Sequence, residues 1–166
     1  MRAVRFSPDG HLMAMGGQDK IARVWRVRDG AEVARLEGTG EVTSLAFSPD
    51  GKSLAVADLS RFIPHVTLWN IGTGKVAGIL ECVTDTYTEH ATALAWSPDA
   101  RLLAVGANNG PIQLWGTDKL RPVALLMGNS STTTSIVFLP DGQTLASACL
   151  GKTISLWDLR QLTTRK

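Results

Sequence analysis

Ser48-Pro49-Asp50-Gly51 recurs as Ser7-Pro8-Asp9-Gly10, as Ser97-Pro98-Asp99-Ala100 and as Leu139-Pro140-Asp141-Gly142. The chemistry is that of a turn: Pro fixes φ, Asp can bond its own backbone, and Gly accepts a positive φ. The four turns begin at residues 7, 48, 97 and 139, with spacings of 41, 49 and 42. A Trp preceded by an apolar residue keeps the same phase. It falls at Trp25, Trp69, Trp115 and Trp157, which are 18, 21, 18 and 18 residues beyond the turns. Two markers locked to one period identify internal repeats.

Between the markers lie short apolar runs. In the second unit these are Val42–Phe47, Leu54–Ala57, Val66–Ile71 and, after the turn Gly72-Thr73-Gly74-Lys75, Val76–Leu80. Runs this short, bounded by Gly, Pro and Asp, read as strands. Four strands joined by tight turns make an antiparallel meander, labelled a to d. The first unit gives Val4–Phe6, Leu12–Met15, Ile21–Val27 and Glu32–Leu36. The third gives Ala91–Trp96, Leu102–Val105, Ile112–Trp115 and Pro122–Leu126. The fourth gives Ser135–Phe138, Thr144–Ala148 and Ile154–Leu159, then a polar tail with no d strand. One such sheet cannot cover both its faces, whereas sheets stacked radially cover one another. The fold class expected is all-β, a β-propeller of four-stranded antiparallel blades with about four blades present. The blades run approximately over 1–39, 40–88, 89–130 and 131–160, within a single domain spanning 1–166.

The unit resembles the WD-repeat β-propeller family in its Ser-Pro-Asp-Gly turn, its Ile/Val-x-Leu/Val-Trp strand and, in unit 2, Gly-Thr-Gly-Lys between strands c and d. The near-identical turns resemble those of the tandem WD-repeat proteins common in bacteria. The repeats are degenerate: Trp157-Asp158 is the one literal Trp-Asp, against Trp25-Arg26, Trp69-Asn70 and Trp115-Gly116. The resemblance implies a hydrogen-bonded set in each blade of Trp, Ser or Thr, an Asp in the b–c loop and a His before strand a. Asp19 fits the Asp position, but Ile63, Asn109 and Gly151 stand at the same offset elsewhere. Gly38-Thr39 and Gly128-Asn129 occupy the place of Gly-His. No blade has the full set, so aliphatic burial and the rings of Trp25, Trp69, Trp115 and Trp157 are expected to hold the blades.

The ring is expected to be incomplete, with three full blades and a fourth lacking its outer strand, and nothing before the first strand to supply it. An open arc exposes an apolar face at each end, and large exposed patches mean partners. A second copy of the chain, or further blades of a longer chain, would complete the ring.

Strand parity locates a binding site. The a–b and c–d turns share one end of every blade, and the b–c and d–a loops share the other. The spacing excesses fall in Asp58–Pro64, a b–c loop, and Glu81–Glu89, the following d–a loop. Both insertions therefore lie on one face at neighbouring blades. They bring Arg61, Phe62, His65, Asp85, Tyr87, Glu89 and His90 together as candidate partner-binding residues. Function tends to sit on loops held by a rigid scaffold, and aromatics with Arg are the usual interface anchors.

Composition narrows the function further. A net charge of +2 over 166 residues argues against nucleic acid and against a membrane surface. No apolar run reaches the length of a membrane span, and the N-terminus has no signal-peptide core. Cys82 and Cys149 lack metal-ligand spacing, and Cys149 reads as a small buried hydrophobe, which fits a reducing cytoplasm. His65 and His90 with Asp85 could form a base and its orienter, but no Gly-x-Ser-x-Gly elbow, phosphate loop or His-Glu-x-x-His accompanies them. No catalytic, cofactor or metal residues are expected. The function read from the sequence is a non-catalytic protein–protein interaction scaffold, as the resemblance implies. The alternative is a propeller binding or hydrolysing a small ligand at its central channel, where Val42, Ala91 and Thr134 offer little polar convergence.

Overall fold

A computed structural model describes residues 2–38, 40–59, 65–82, 90–108, 111–128 and 131–162. The first unit forms β1 (Ala3–Phe6), β2 (Leu12–Gly16), β3 (Ile21–Arg26) and β4 (Glu32–Glu37). The second forms β5 (Glu41–Phe47), β6 (Ser53–Leu59), β7 (His65–Asn70) and β8 (Lys75–Glu81). The third forms β9 (Ala91–Trp96), β10 (Leu102–Ala107), β11 (Ile112–Gly116) and β12 (Arg121–Leu126). The fourth has β13 (Thr133–Phe138), β14 (Thr144–Cys149) and β15 (Ile154–Asp158), then a 3-10 turn at Arg160–Leu162. Each unit is one antiparallel sheet in chain order, three of four strands and the last of three.

The turns work as their composition requires. Ser7, Ser48 and Ser97 are buried, and each Oγ accepts the backbone N–H that opens the next strand, Leu12, Ser53 or Leu102, at 2.9 Å. Each hydroxyl donates to the Asp two residues on, Asp9, Asp50 or Asp99. These hydroxyls hold the three carboxyls below the ordinary range. The last turn residue is left-handed every time: Gly10, Gly51, Ala100 and Gly142 have φ of 72°, 70°, 60° and 66°.

Cross-strand register sets two kinds of face. One carries the rows Phe47–Leu54–Trp69, Trp96–Leu103–Trp115 and Phe138–Leu145–Trp157. The other carries Ala46–Ala55–Leu68 and Ala95–Ala104–Leu114. Three apolar clusters fill the spaces between consecutive sheets. Ala14, Val24 and Leu36 of the first sheet meet Leu45, Phe47 and Leu54 of the second. Ala55, Val66 and Leu68 meet Leu94, Leu103 and Trp115. Ala104, Ile112 and Leu114 meet Ile136, Phe138 and Leu145. The innermost strands touch in the order β1, β5, β9, β13. The sheets fan about a common axis as a β-propeller arc, and among the described residues no closed ring forms.

Several strand ends differ from expectation. Asp58 and Leu59, read as loop, extend β6 by pairing with Val42 and Glu41. Glu81, read as the start of the d–a loop, ends β8 opposite His65. In both places the ladder runs on past the apolar run that marks the strand in the sequence. β15 ends at Asp158; the Leu159 N–H still reaches the carbonyl of Gln143 at 2.8 Å, its own carbonyl accepts the N–H of Leu162 in the following turn, and its side chain packs into the third cluster.

Candidate functional site

The end of the arc opposite the Ser-Pro-Asp-Gly turns is tied together by a repeated threonine. Thr43 Oγ1 lies 3.1 Å from the carbonyl of Ala57 on its own sheet and 2.6 Å from that of Ala91 on the next. Thr92 does the same with Gly106, at 3.3 Å, and Thr133, at 2.5 Å. Thr134 reaches Ala148 of its own sheet at 3.2 Å. All three sit where the β-ladder shifts register at the start of strand a. These contacts put the starts of β5, β9 and β13 side by side. The b–c and d–a connections of the second and third sheets thus emerge on one face. At the other end Gly142 lies beside Pro98, so the a–b turns adjoin as well.

His65 opens β7 half-buried, with Nε2 3.6 Å from Asp58 Oδ1. Asp58 is buried, and its other oxygen accepts the N–H of Gly40 at 3.3 Å, which ties the preceding d–a segment to the end of β6. His90 exchanges hydrogen bonds with Asn108: its N–H donates to Oδ1 at 2.7 Å, and the Asn108 N–H donates to its carbonyl at 3.0 Å. His65 and His90 both belong to the loop face. Arg61, Phe62, Asp85, Tyr87 and Glu89 lie outside the described residues. The sequence reading missed Asp58 as an anchor and missed the threonines. A signal for the latter was present: Thr43, Thr92 and Thr134 each stand five residues before a turn, and Arg2 holds that place in unit one. Arg2 instead crosses to the second sheet by an ion pair with Glu41 at 2.9 Å.

The tryptophans take different surroundings. Trp115 is buried in the second cluster, and Trp69 and Trp157 pack part-buried against the first and third. Trp157 Nε1 donates to Ser147 Oγ at 3.0 Å. Trp25 is half-buried on the outer face of the first sheet, opposite Met13. Asp19 is exposed and accepts a hydrogen bond from Arg23. A fifth ring, Trp96, donates to the carbonyl of Ala46 at 3.1 Å and so joins the second and third sheets.

On the turn face a groove of about 660 Å³ opens between the third and fourth sheets, beside Pro98, Pro140 and Leu162. Its charges are engaged at short range, Arg160 with Asp158 and Arg101 with Asp99. At the inner strand ends Val42 and Ala91 are buried, and Thr134 is exposed. Among the described residues, no group of three or more His, Cys, Asp or Glu is placed to hold a metal ion. Both cysteines are buried thiols. Burial pushes the Cys82 thiol up to about 12, and the Thr153 hydroxyl holds that of Cys149 below its ordinary value. No described helix is long and apolar enough to cross a membrane.

Comparison with known proteins agrees with this architecture. Residues 4–87 match the family described as the anaphase-promoting complex subunit 4 WD40 domain. Residues 81–115 and 120–158 match the WD domain, G-beta repeat. The small ribosomal subunit protein RACK1 of Schizosaccharomyces pombe is 30% identical over 127 residues, covering 70% of this chain and 38% of that protein. The protein of the same name from Drosophila melanogaster is 31% identical over 120 residues, covering 69% of this chain and 36% of its own length. The chain thus spans under two fifths of the length of these relatives. With the family matches running through all four sheets, the chain belongs to the WD-repeat family.

Proposed function

We propose that this chain is a non-catalytic protein–protein interaction scaffold that receives its partner on the face carrying the b–c and d–a loops. One observation carries the reading. The two departures from the repeat spacing, after Leu59 and after Glu81, emerge at the same end of adjacent sheets whose inner strands are locked by Thr43. A rigid platform under irregular loops is the usual arrangement for recognition. Arg61, Phe62 and Tyr87 are the anchors in this reading, with His65, Asp85, Glu89 and His90 as further contacts. The family and the RACK1 relatives support a scaffold role. Those relatives are named as proteins of the small ribosomal subunit, an RNA-containing particle. The expectation of no nucleic-acid contact is therefore narrowed to the claim that the loop face binds protein.

We take residues 1–166 as one propeller domain with four blades, of the tandem bacterial type, acting in the cytoplasm. No observation favours the central-channel alternative: at the inner strand ends Val42 and Ala91 are buried and apolar, and Thr134, which is exposed, spends its hydroxyl on the carbonyl of Ala148. The test is capture of partner proteins by immobilised wild-type chain and by the variant carrying Arg61→Ala, Phe62→Ala and Tyr87→Ala. Capture is lost in the variant while its circular dichroism and melting curve match the wild type. Unchanged capture overturns the reading.

A further inference from the structure

Two of the sheets carry a pair of polar side chains at the root of the b–c connection, and in one of them the pair is ionisable. The positions are the residue ten beyond the start of the a–b turn and the residue four before the Trp. In the fourth sheet they hold Cys149 and Thr153, whose Sγ and Oγ1 lie 2.9 Å apart. In the second they hold Asp58 and His65, with Nε2 3.6 Å from Oδ1. Gly17 with Ile21 and Ala107 with Pro111 stand at these positions in the first and third sheets and offer no such pair. The two members are four residues apart in the fourth sheet and seven apart in the second, the sheet with the longest b–c connection. A carboxylate and an imidazole thus span the wider root, where a thiol and a hydroxyl span the narrow one.

The carboxylate holds more than β7. Asp58 is buried, its Oδ2 accepts the N–H of Gly40 at 3.3 Å, and a Cβ on Gly38 would lie 3.1 Å from that oxygen. The end of β6 therefore grips the segment arriving from the first sheet. The distance to His65 is too long for a hydrogen bond and within ion-pair range. With side chains only 17% and 4% exposed, the attraction gained when the imidazole becomes positive is weakly screened. Histidine is the side chain whose ordinary charge change falls between about pH 5 and 8.

The surrounding charges favour this partner. Glu81 stands opposite His65 on β8, and Glu41 stands opposite Leu59 on β5, where it pairs with Arg2. From the first sheet, the Gly38 N–H on the Lys20 carbonyl brings Lys20 and Glu37 to the same corner; both are exposed, and Glu37 pairs with Arg35. The other face of β7 packs through Val66 and Leu68 on apolar side chains of the third sheet. A positive imidazole is thus met by carboxylates on β6 and β8.

We propose that Asp58 and His65 form a proton-operated clasp: a proton on His65 draws it onto Asp58 and ties β7, β6 and the Gly40 segment into one corner of the loop face, and loss of the proton releases β7 from that tie. The clasp is a property of the fold. Its effect on binding rests on the loop-face reading: a corner already ordered lowers the ordering cost of association, so partner capture is stronger at the acid end of the histidine range.

The experiment is an NMR titration of the isotope-labelled chain between about pH 5 and 8, following the Gly40 amide and the His65 ring. In the wild type the Gly40 amide shifts with one midpoint, equal to that of the His65 ring. His65→Gln keeps a polar side chain and leaves the Gly40 amide unmoved. Asp58→Asn keeps an acceptor for Gly40 but no charge, so His65 still titrates and Gly40 no longer follows. His90→Gln, which removes the other histidine of the loop face, leaves the Gly40 response intact. Matching circular dichroism melts establish that the variants fold. The wild type alone can overturn the clasp, by a Gly40 amide that does not move or that moves with a midpoint apart from that of His65. A response that survives His65→Gln, or disappears in His90→Gln, overturns it as well. If the Arg61, Phe62 and Tyr87 variant captures partners unchanged while Gly40 still follows His65, the binding reading fails and the clasp stands.

Discussion

Replacing Ser48 by Ala tests whether the repeated turn holds the sheets in register. The buried Ser48 Oγ accepts the N–H of Ser53 at 2.9 Å and donates to Asp50 at 2.6 Å. Removing it leaves the Ser53 N–H without its acceptor, at a cost of about 1–3 kcal/mol for a buried donor. The fourth turn shows how part of this is recovered. Leu139 stands where the other turns have Ser, and Asp141 there accepts the N–H groups of both Gln143, at 2.8 Å, and Thr144, at 3.0 Å. Asp50 can swing to the Ser53 N–H in the same way, which places the expected loss near about 1–2 kcal/mol. For a chain of this size that corresponds to a melting temperature lower by about 2–8 °C. Thermal melts followed by circular dichroism measure it. Adding Asp50→Ala to Ser48→Ala removes that rescue as well as the hydrogen bond the two side chains share, so the two losses should not simply add. A Ser48→Ala shift below about 1 °C, set against that range, refutes the reasoning, as does strict additivity.

Ala100 sits at φ 60°, where an L-residue costs about 1–2 kcal/mol, so Ala100→Gly should stabilise by about 0.5–1 kcal/mol after the added entropy of the unfolded chain. A lower urea midpoint would contradict this. Gly16→Ala drives a Cβ to 2.6 Å from the buried Val42 and should cost about 1–3 kcal/mol by overpacking, read from the same midpoint. Acid should weaken the fold through the turn carboxyls. Asp9, Asp50, Asp99, Asp141 and Asp158 all have folded pKa values below the ordinary 3.8, with Asp158 at about 2 beside Arg160. Groups depressed in the folded state stabilise it above 3.8, and that contribution is lost as pH falls through the folded values towards about 2. The melting temperature should therefore drop across that window, and a flat profile there would count against the turn hydrogen bonds.

The strands were legible because turns and Trp residues recur at fixed distances, and each apolar run between them could be only a strand. Their ends were not. Asp58 and Glu81 look like loop residues, yet each pairs with a neighbouring strand, since a ladder continues as long as backbone partners are opposite. The threonine tie was hidden in plain composition, because Thr is an ordinary strand residue and its bond to the next sheet is a tertiary contact. Asp19 has a partner that the repeat spacing does not show. Its offset from Trp25 matches the family pattern, and its carboxylate pairs with the guanidinium of Arg23. Of the candidate site, sheet parity was enough to put His65 and His90 on one face. The pairing of His65 with Asp58 depends on the strand running two residues further than the apolar pattern does.

Hydrogen exchange of the chain with and without a captured protein partner tests the central claim most directly, because it asks which face is used. Protection should appear over residues 58–66 and 81–92, where the two spacing departures lie, and the turns at 7–10, 48–51, 97–100 and 139–142 should exchange unchanged. Protection confined to those turns, with the two loop segments unaffected, would contradict the account.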